Sequence, residues 1–138
     1  MNEENDDTVL TRVVAGVVIE KDGKYLLVQE KAKCYGKWNL PAGRVEKGDS
    51  FEKTAIKEAK EETGFDVELT AKIGIFQEKP ENAVKHAYQA KIIGGELTVP
   101  KDELLDARWF TIDEIEKMKD QLREKWVIDA IKISNKQH

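Results

Sequence analysis

Residues Val13 to Ile19 form a β-branched run interrupted only by Ala15 and Gly16, and such a run reads as a buried strand. Lys21-Asp22-Gly23-Lys24 follows as a hairpin turn, because glycine supplies the positive φ that a tight turn demands. Tyr25 to Gln29 is then the return strand, and Lys31 to Lys37 a polar loop. Phe51 to Thr63 reads as the clearest helix, with Asp49 and Glu52 as an Asp-x-x-Glu capping box and Gly64 as its stop. Val67 to Gln77 and Lys85 to Ile93 look like strands, the second with His86, Tyr88 and Ala90 on one face, and Gly94-Gly95 as a turn after it. Ala107 to Phe110 is a short strand, and Thr111 with Glu114 is a second capping box. Leu122, Trp126, Ala130 and Ile133 mark the buried stripe of a last helix. Strands alternate with helices, so the chain reads as one α/β domain over residues 11–138, after a flexible acidic N-terminus over 1–10.

A chain of 138 residues suffices for one real core and is short for two. A net charge of −4 disfavours backbone-driven binding of nucleic acid, which needs a basic face. The single cysteine, Cys34, excludes an internal disulfide and reads as a small buried or half-buried thiol. The polar, acidic start is the opposite of a signal peptide, and no apolar run approaches the ~20 residues of a membrane span. The expected setting is cytoplasmic, with no membrane partner.

The chemistry lies in the helix from Phe51. With Glu58 at zero on a helical wheel, Glu61 falls at about −60° and Glu62 at about +40°, so three carboxylates share an arc of roughly 100°. Ile56, Ala59 and Thr63 occupy the neighbouring arc and can pack on a sheet; Lys53, Lys57 and Lys60 fill the solvent side. A salt-bridged solvated face is one reading of such a helix. Against it, the carboxylates adjoin the apolar arc and repel one another at i, i+3 and i+4, a penalty that a hard divalent cation removes. Upstream, Gly43 to Gly48 is a glycine-bounded loop able to approach a phosphate.

From Gly43 to Phe65 the chain reads GRVEKGDSFEKTAIKEAKEETGF, which resembles the Nudix box, G-x5-E-x7-R-E-U-x-E-E-x-G-U, with U an aliphatic residue. Gly43, Glu58, Glu61, Glu62 and Gly64 stand at the required spacing across 23 positions. Asp49 replaces the first Glu, Lys57 the Arg, Ala59 one aliphatic residue and Phe65 the closing one. Trp38 to Ala42 and Ala107 to Phe110 also look like the family's flanking segments, so the resemblance covers about residues 12 to 118.

The resemblance implies an α/β/α sandwich around a mixed sheet, and water attack on phosphorus within a diphosphate link. Glu58, Glu61 and Glu62 would hold Mg²⁺, or Mn²⁺ in its place, joined by the Gly43 carbonyl. Lys57 would hold a neighbouring carboxylate or merely face solvent, and Asp49 would brace the loop or merely cap the helix. The general base would be Glu58 or Glu103, six residues before Trp109. Tyr35, Phe76, His86 and Tyr88 are candidates for stacking on a substrate head group. The partner expected is a small nucleotide-like diphosphate, with a homodimer left open. Three functions follow: a nucleoside di- or triphosphate pyrophosphohydrolase, a hydrolase of ADP-ribose, a dinucleotide or another diphosphate such as thiamine diphosphate, and a non-catalytic binding module.

Overall fold

The computed structural model describes residues 12–136; the expected N-terminal segment 1–10 lies outside the described residues. Eight of the elements build the site's surroundings: strands β1 (Val13–Lys21), β2 (Lys24–Glu30), β3 (Trp38–Asn39), β4 (Ala42–Arg44), β5 (Phe65–Phe76), β6 (Val84–Gly95) and β7 (Leu104–Thr111), with helix α1 (Phe51–Thr63) inserted after β4. Helices α2 (Ile112–Lys117) and α3 (Trp126–Lys136) close the chain, with a 3₁₀ turn (Lys119–Gln121) between them.

β1 is the hub of a mixed sheet. It runs parallel to β6 from Val13↔Val84 to Ile19↔Ala90, and antiparallel to β4 from Val14↔Arg44 to Gly16↔Ala42. Only its last residues pair with β2, at Glu20↔Tyr25 and Lys21↔Lys24. The connection is the expected hairpin: Asp22 and Gly23 both take positive φ, 54° and 79°, as a two-residue primed turn requires. β2 in turn carries β3 and β7, and β5 flanks β6 antiparallel. Gly94 and Gly95 belong to β6, paired with Asp66 and Phe65, where a turn was expected.

Period-2 alternation sorts the apolar side chains of β1 and β2 into two cores, one on each face of the sheet. Val17, Ile19, Leu26 and Val28 lie with Ala55 and Ala59 beneath α1. Val18, Tyr25 and Leu27 lie with Trp38, Ile115, Trp126 and Ile131 beneath α2 and α3. The result is the α/β/α layering expected of the chain.

Three local expectations need correction. Ser50, not Asp49, caps α1: its side chain accepts from the Lys53 N–H, while Asp49 pairs with Lys53 Nζ at 3.6 Å. The side chains that α1 buries are Thr54, Ala55, Ala59 and Thr63; Ile56 is exposed, because a row of small residues spaced by four lets the helix lie close to the sheet. Leu122 precedes α3, and Ile133 is exposed; the buried face of that helix runs through Trp126, Val127, Ala130, Ile131 and Ser134, about 90° round from Ile133. The Thr111–Glu114 capping box is present with both of its hydrogen bonds.

Candidate active site

α1 is fixed at both ends, by Ser50 and by Gly64 in the left-handed region at φ 84°. It packs on β1, β4 and β5, and this turns Glu58 and Glu62 toward β4. The Ala42 N–H donates to Glu62 Oε1 at 3.1 Å. Next along the strand, a Cβ added to Gly43 would collide with the carboxyl group of Glu58. Any side chain at 43 would force the Glu58 carboxyl to move from this place. Gly43, Glu58 and Glu62 are therefore brought together, as the box spacing led one to expect. Glu61, one position before Glu62 on the helix, is exposed.

Both inner carboxyls are held in an environment that resists their charge. Burial pushes the Glu62 pKa well above the ordinary value, the Glu58 charge adds to that, and the Ala42 N–H partly offsets it; Glu30 and Glu103 raise it further. Glu58 is raised to about 7, first by burial and then by Glu61, while Lys57 pulls it down and Glu103 and Glu46 push it up. Glu103 thus lies near enough for its charge to be felt from the exposed turn before β7. Lys57 is exposed and makes no hydrogen bond or ion pair among the described residues, acting on Glu58 through its charge.

Among the described residues no three His, Cys, Asp or Glu side chains stand close enough together to hold a metal ion. The donor set nevertheless fits one in chemistry. Two carboxyls share a partly dry corner, each raised first by burial and then by acidic neighbours, and a cation is what their ionised forms lack. Oxygen donors alone suit Mg²⁺ or Mn²⁺.

Beside Glu62 and Gly43 opens a cleft of about 440 Å³. Its lining includes Arg44, Lys33, Lys85 and Arg123, a basic surround for an anionic ligand. Arg123 holds Glu30 at 3.1 Å, and Asn39 Nδ2 donates to the same Glu30 oxygen at 2.9 Å. Lys85 and Glu124 form a second ion pair in this cleft, whereas Arg44 and Lys33 make none among the described residues. A further cavity of about 600 Å³ adjoins it, sharing Glu81, Asn82, Arg123 and Glu124 as a common wall.

The four stacking candidates are not brought to this cleft. Tyr35 is 72% exposed, although Lys33 and Cys34 beside it line the cleft. Phe76 is partly buried against the core under α3. His86 stacks on Phe51 of α1 at a centroid distance of 3.9 Å, and Tyr88 packs in the core under α1. Strand alternation is the reason: in β6, Lys85 faces the cleft, so His86 and Tyr88 face the other way. Burial, with the Lys72 charge, also lowers the His86 pKa. Cys34 is exposed, contrary to expectation, with φ 52°. The sequence does not single out Lys85, Arg44, Arg123 and Glu124 as cleft residues, and it marks Trp126 only as core; the one signal for Lys85 is its place out of phase with the apolar positions of β6.

Comparison with known proteins supplies the wider setting. The sequence matches the family model described as NUDIX domain over residues 9–130. A Caenorhabditis elegans relative provisionally named nudix hydrolase 1 is 37% identical over 116 residues, 80% of this chain and 32% of that protein. A Bacillus subtilis relative provisionally named 8-oxo-dGTP diphosphatase is 36% identical over 93 residues, 67% of this chain and 61% of that one. The chain thus spans less than two thirds of either relative. A solved NUDIX hydrolase from Nitrosomonas europaea superposes with a TM-score of 0.81 at 28% identity, covering 93% of this chain and 90% of its own.

Proposed function

We propose, since the chain belongs to the Nudix family, that it is a Mg²⁺-dependent hydrolase cleaving the diphosphate linkage of a nucleoside di- or triphosphate or a related nucleotide. The observation that carries this is the corner formed by Gly43, Glu58 and Glu62, two raised carboxyls beside a cleft that carries the cations Arg44 and Lys33, unpaired among the described residues. Glu58 and Glu62, joined by Glu61 if its exposed side chain turns inward, would hold the cation, with the Gly43 carbonyl as a further donor. The ion would supply neutralisation of diphosphate charge and a lowered pKa for the attacking water. Arg44 and Lys33 orient the phosphates. Glu58 is the better candidate to accept the water's proton, since a general base works best with a pKa near the operating pH; exposed Glu103 is the second. A cytoplasmic setting belongs to the same proposal, supported by a single cysteine that can form no internal disulfide. Among the described residues no helix is long and apolar enough to cross a membrane.

A second reading, hydrolysis of ADP-ribose or a dinucleotide, draws support from the adjoining cavity of about 600 Å³, which gives room for a second half of the substrate. One experiment addresses both. The protein is incubated with Mg²⁺ and nucleoside di- and triphosphates, ADP-ribose, a dinucleotide and thiamine diphosphate, and the products are identified by chromatography. Cleavage within a diphosphate link, abolished in Glu58→Gln, is expected. Failure to cleave any of them with Mg²⁺ or Mn²⁺ would leave a non-catalytic nucleotide-binding module instead.

A further inference from the structure

The Lys85–Glu124 ion pair is the least explained charged feature of the cleft. Lys85, on β6, is 6% exposed, and Glu124 sits in the bend before α3; both line the cleft that adjoins Glu62. Burying two opposite charges is a poor way to stabilise a fold, because desolvation offsets most of their attraction. Apolar side chains would fit against Val14 and Trp126, which line the same cavity. The pair also leaves capacity unused. A lysine ammonium has three N–H donors and a carboxylate two acceptor oxygens. Among the described residues Lys85 Nζ donates only to Glu124 Oε1, and Glu124 Oε2 accepts from nothing. Trp126 lines the same wall and is 3% exposed, with its indole N–H buried and unpaired among the described residues.

We infer that Lys85 and Glu124 select the base of the bound nucleotide, and that the base they select carries a guanine-type edge. This rests on the nucleotide reading above. A carboxylate beside an ammonium asks for a ligand edge with donors next to an acceptor. Guanine presents N1–H and N2–H, which the two Glu124 oxygens accept, beside O6, which accepts from Lys85. Adenine offers one donor and one acceptor, so one carboxylate oxygen stays unpaired. Uracil sets O2 against that oxygen, two acceptors facing each other, and cytosine sets two acceptors beside a single donor. A buried polar group left unpaired is costly, so a site of this kind rejects a base that cannot complete it.

Binding can be measured apart from catalysis, by equilibrium dialysis of the full chain in EDTA with GMP, AMP, CMP and UMP. GMP is expected to bind at least about tenfold more tightly than AMP, a difference of about 1.4 kcal/mol. In Glu124→Gln that preference should fall to within about twofold, with AMP binding little changed. Because removing one partner leaves a buried charge, the paired replacement Lys85→Met with Glu124→Leu is measured alongside; it keeps the cavity filled and should lose the preference equally. Equal binding of all four nucleotides by the unaltered protein overturns the assignment, as does a GMP preference that survives in the paired variant. A protein that prefers GMP yet cleaves nothing keeps this inference and loses the hydrolase; one that cleaves nucleotides without regard to base does the reverse.

Discussion

The two walls of the cleft treat charge in opposite ways. On the α1 side, Glu58 and Glu62 stand beside further acids with no ion pair among the described residues, and the pKa values of both are raised. On the α3 side, the buried or half-buried charges are matched, Lys85 with Glu124 and Arg123 with Glu30. A matched wall is already complete in electrostatic terms and serves to give shape and direction. An unmatched wall carries a standing cost, which a bound cation would relieve. The same contrast appears in the backbone. Gly43 gives up its side-chain space to a carboxyl group, while across the cleft Arg123 N–H donates to the Trp38 carbonyl at 2.8 Å and Lys125 N–H to Glu78 Oε1 at 3.1 Å.

The contrast breaks most sharply if the unmatched carboxylates are neutralised. Glu58→Gln and Glu62→Gln should each lower kcat at least ~10²-fold with Mg²⁺ present, the scale of one electrostatic catalytic contact. In EDTA the same variants should melt at or above the temperature of the unaltered protein, because a repulsion has been removed. Gly43→Ala should also lower kcat, since the added methyl displaces the Glu58 carboxyl. Wild-type turnover in both Gln variants would falsify the metal-holding role of this wall.

Next in size is the pH dependence of the metal-free protein. Glu58 titrates near 7 in the folded state against an ordinary value of 4.5, and Glu62 is shifted the same way. Between those two values the folded chain binds more protons than the unfolded one, so stability falls as pH rises through that window. Melting in EDTA should therefore occur at a lower temperature at pH 7.5 than at pH 5, as far as these two groups govern it. Millimolar Mg²⁺ should raise the melting temperature most at the higher pH, where a larger share of Glu58 is ionised and ready to bind. A Mg²⁺ effect that is absent at pH 7.5 would mean that the acidic face is merely solvated.

How far this was legible in the sequence also divides along the two walls. The α1 wall is local: Glu58, Glu61 and Glu62 lie within two turns of one helix, and Gly43 is set by a fixed spacing. Helical geometry therefore put them on one arc without knowledge of the tertiary structure. The α3 wall is assembled from β2, β6 and the bend before α3, so Glu30 meets Arg123 across 93 residues and Lys85 meets Glu124 across 39. No local periodicity encodes such meetings. The face of β6 was misjudged for a related reason: His86 and Tyr88 looked like a polar, aromatic face open to a ligand, yet the face is closed by Phe51 of α1, which the strand's own pattern does not reveal. The phase of α3 slipped because Leu122 was counted into the helix, whereas the helix begins at Trp126.

The matched wall can be tested by unmatching it. Lys85→Met alone leaves Glu124 without its cation, and Glu124→Leu alone leaves a buried ammonium; each should lower stability, by about 3–5 kcal/mol at full burial and less here because Glu124 is partly open to water. The double replacement should recover most of that loss, since two apolar side chains have no need of each other's charge. Urea unfolding of the two single variants and the double variant measures the coupling directly. Additive losses would mean that the pair does not act as a unit.

The smallest effect expected concerns Lys57, a cation that bears on the unmatched wall by its charge alone. It is exposed and bonded to nothing among the described residues, so it does not orient Glu58 by a fixed hydrogen bond as it stands. Its charge nonetheless lowers the Glu58 pKa, against the burial and acidic neighbours that raise it. Lys57→Ala should therefore lower kcat by a few-fold at most, with little change in KM, and move the acidic limb of the pH–rate profile upward. Lys57→Arg should keep the charge, hold the limb in place and leave kcat equal or higher, because the guanidinium can form the two-pronged contact that an ammonium cannot. Lys53 makes the control: it is exposed on the same helix, and its partner is Asp49 at 3.6 Å rather than Glu58. Lys53→Ala should leave both kcat and the pH profile within error. If the two alanine variants behave alike, the charge at 57 is only part of the solvated face, and the unmatched wall has no organic cation bearing on it.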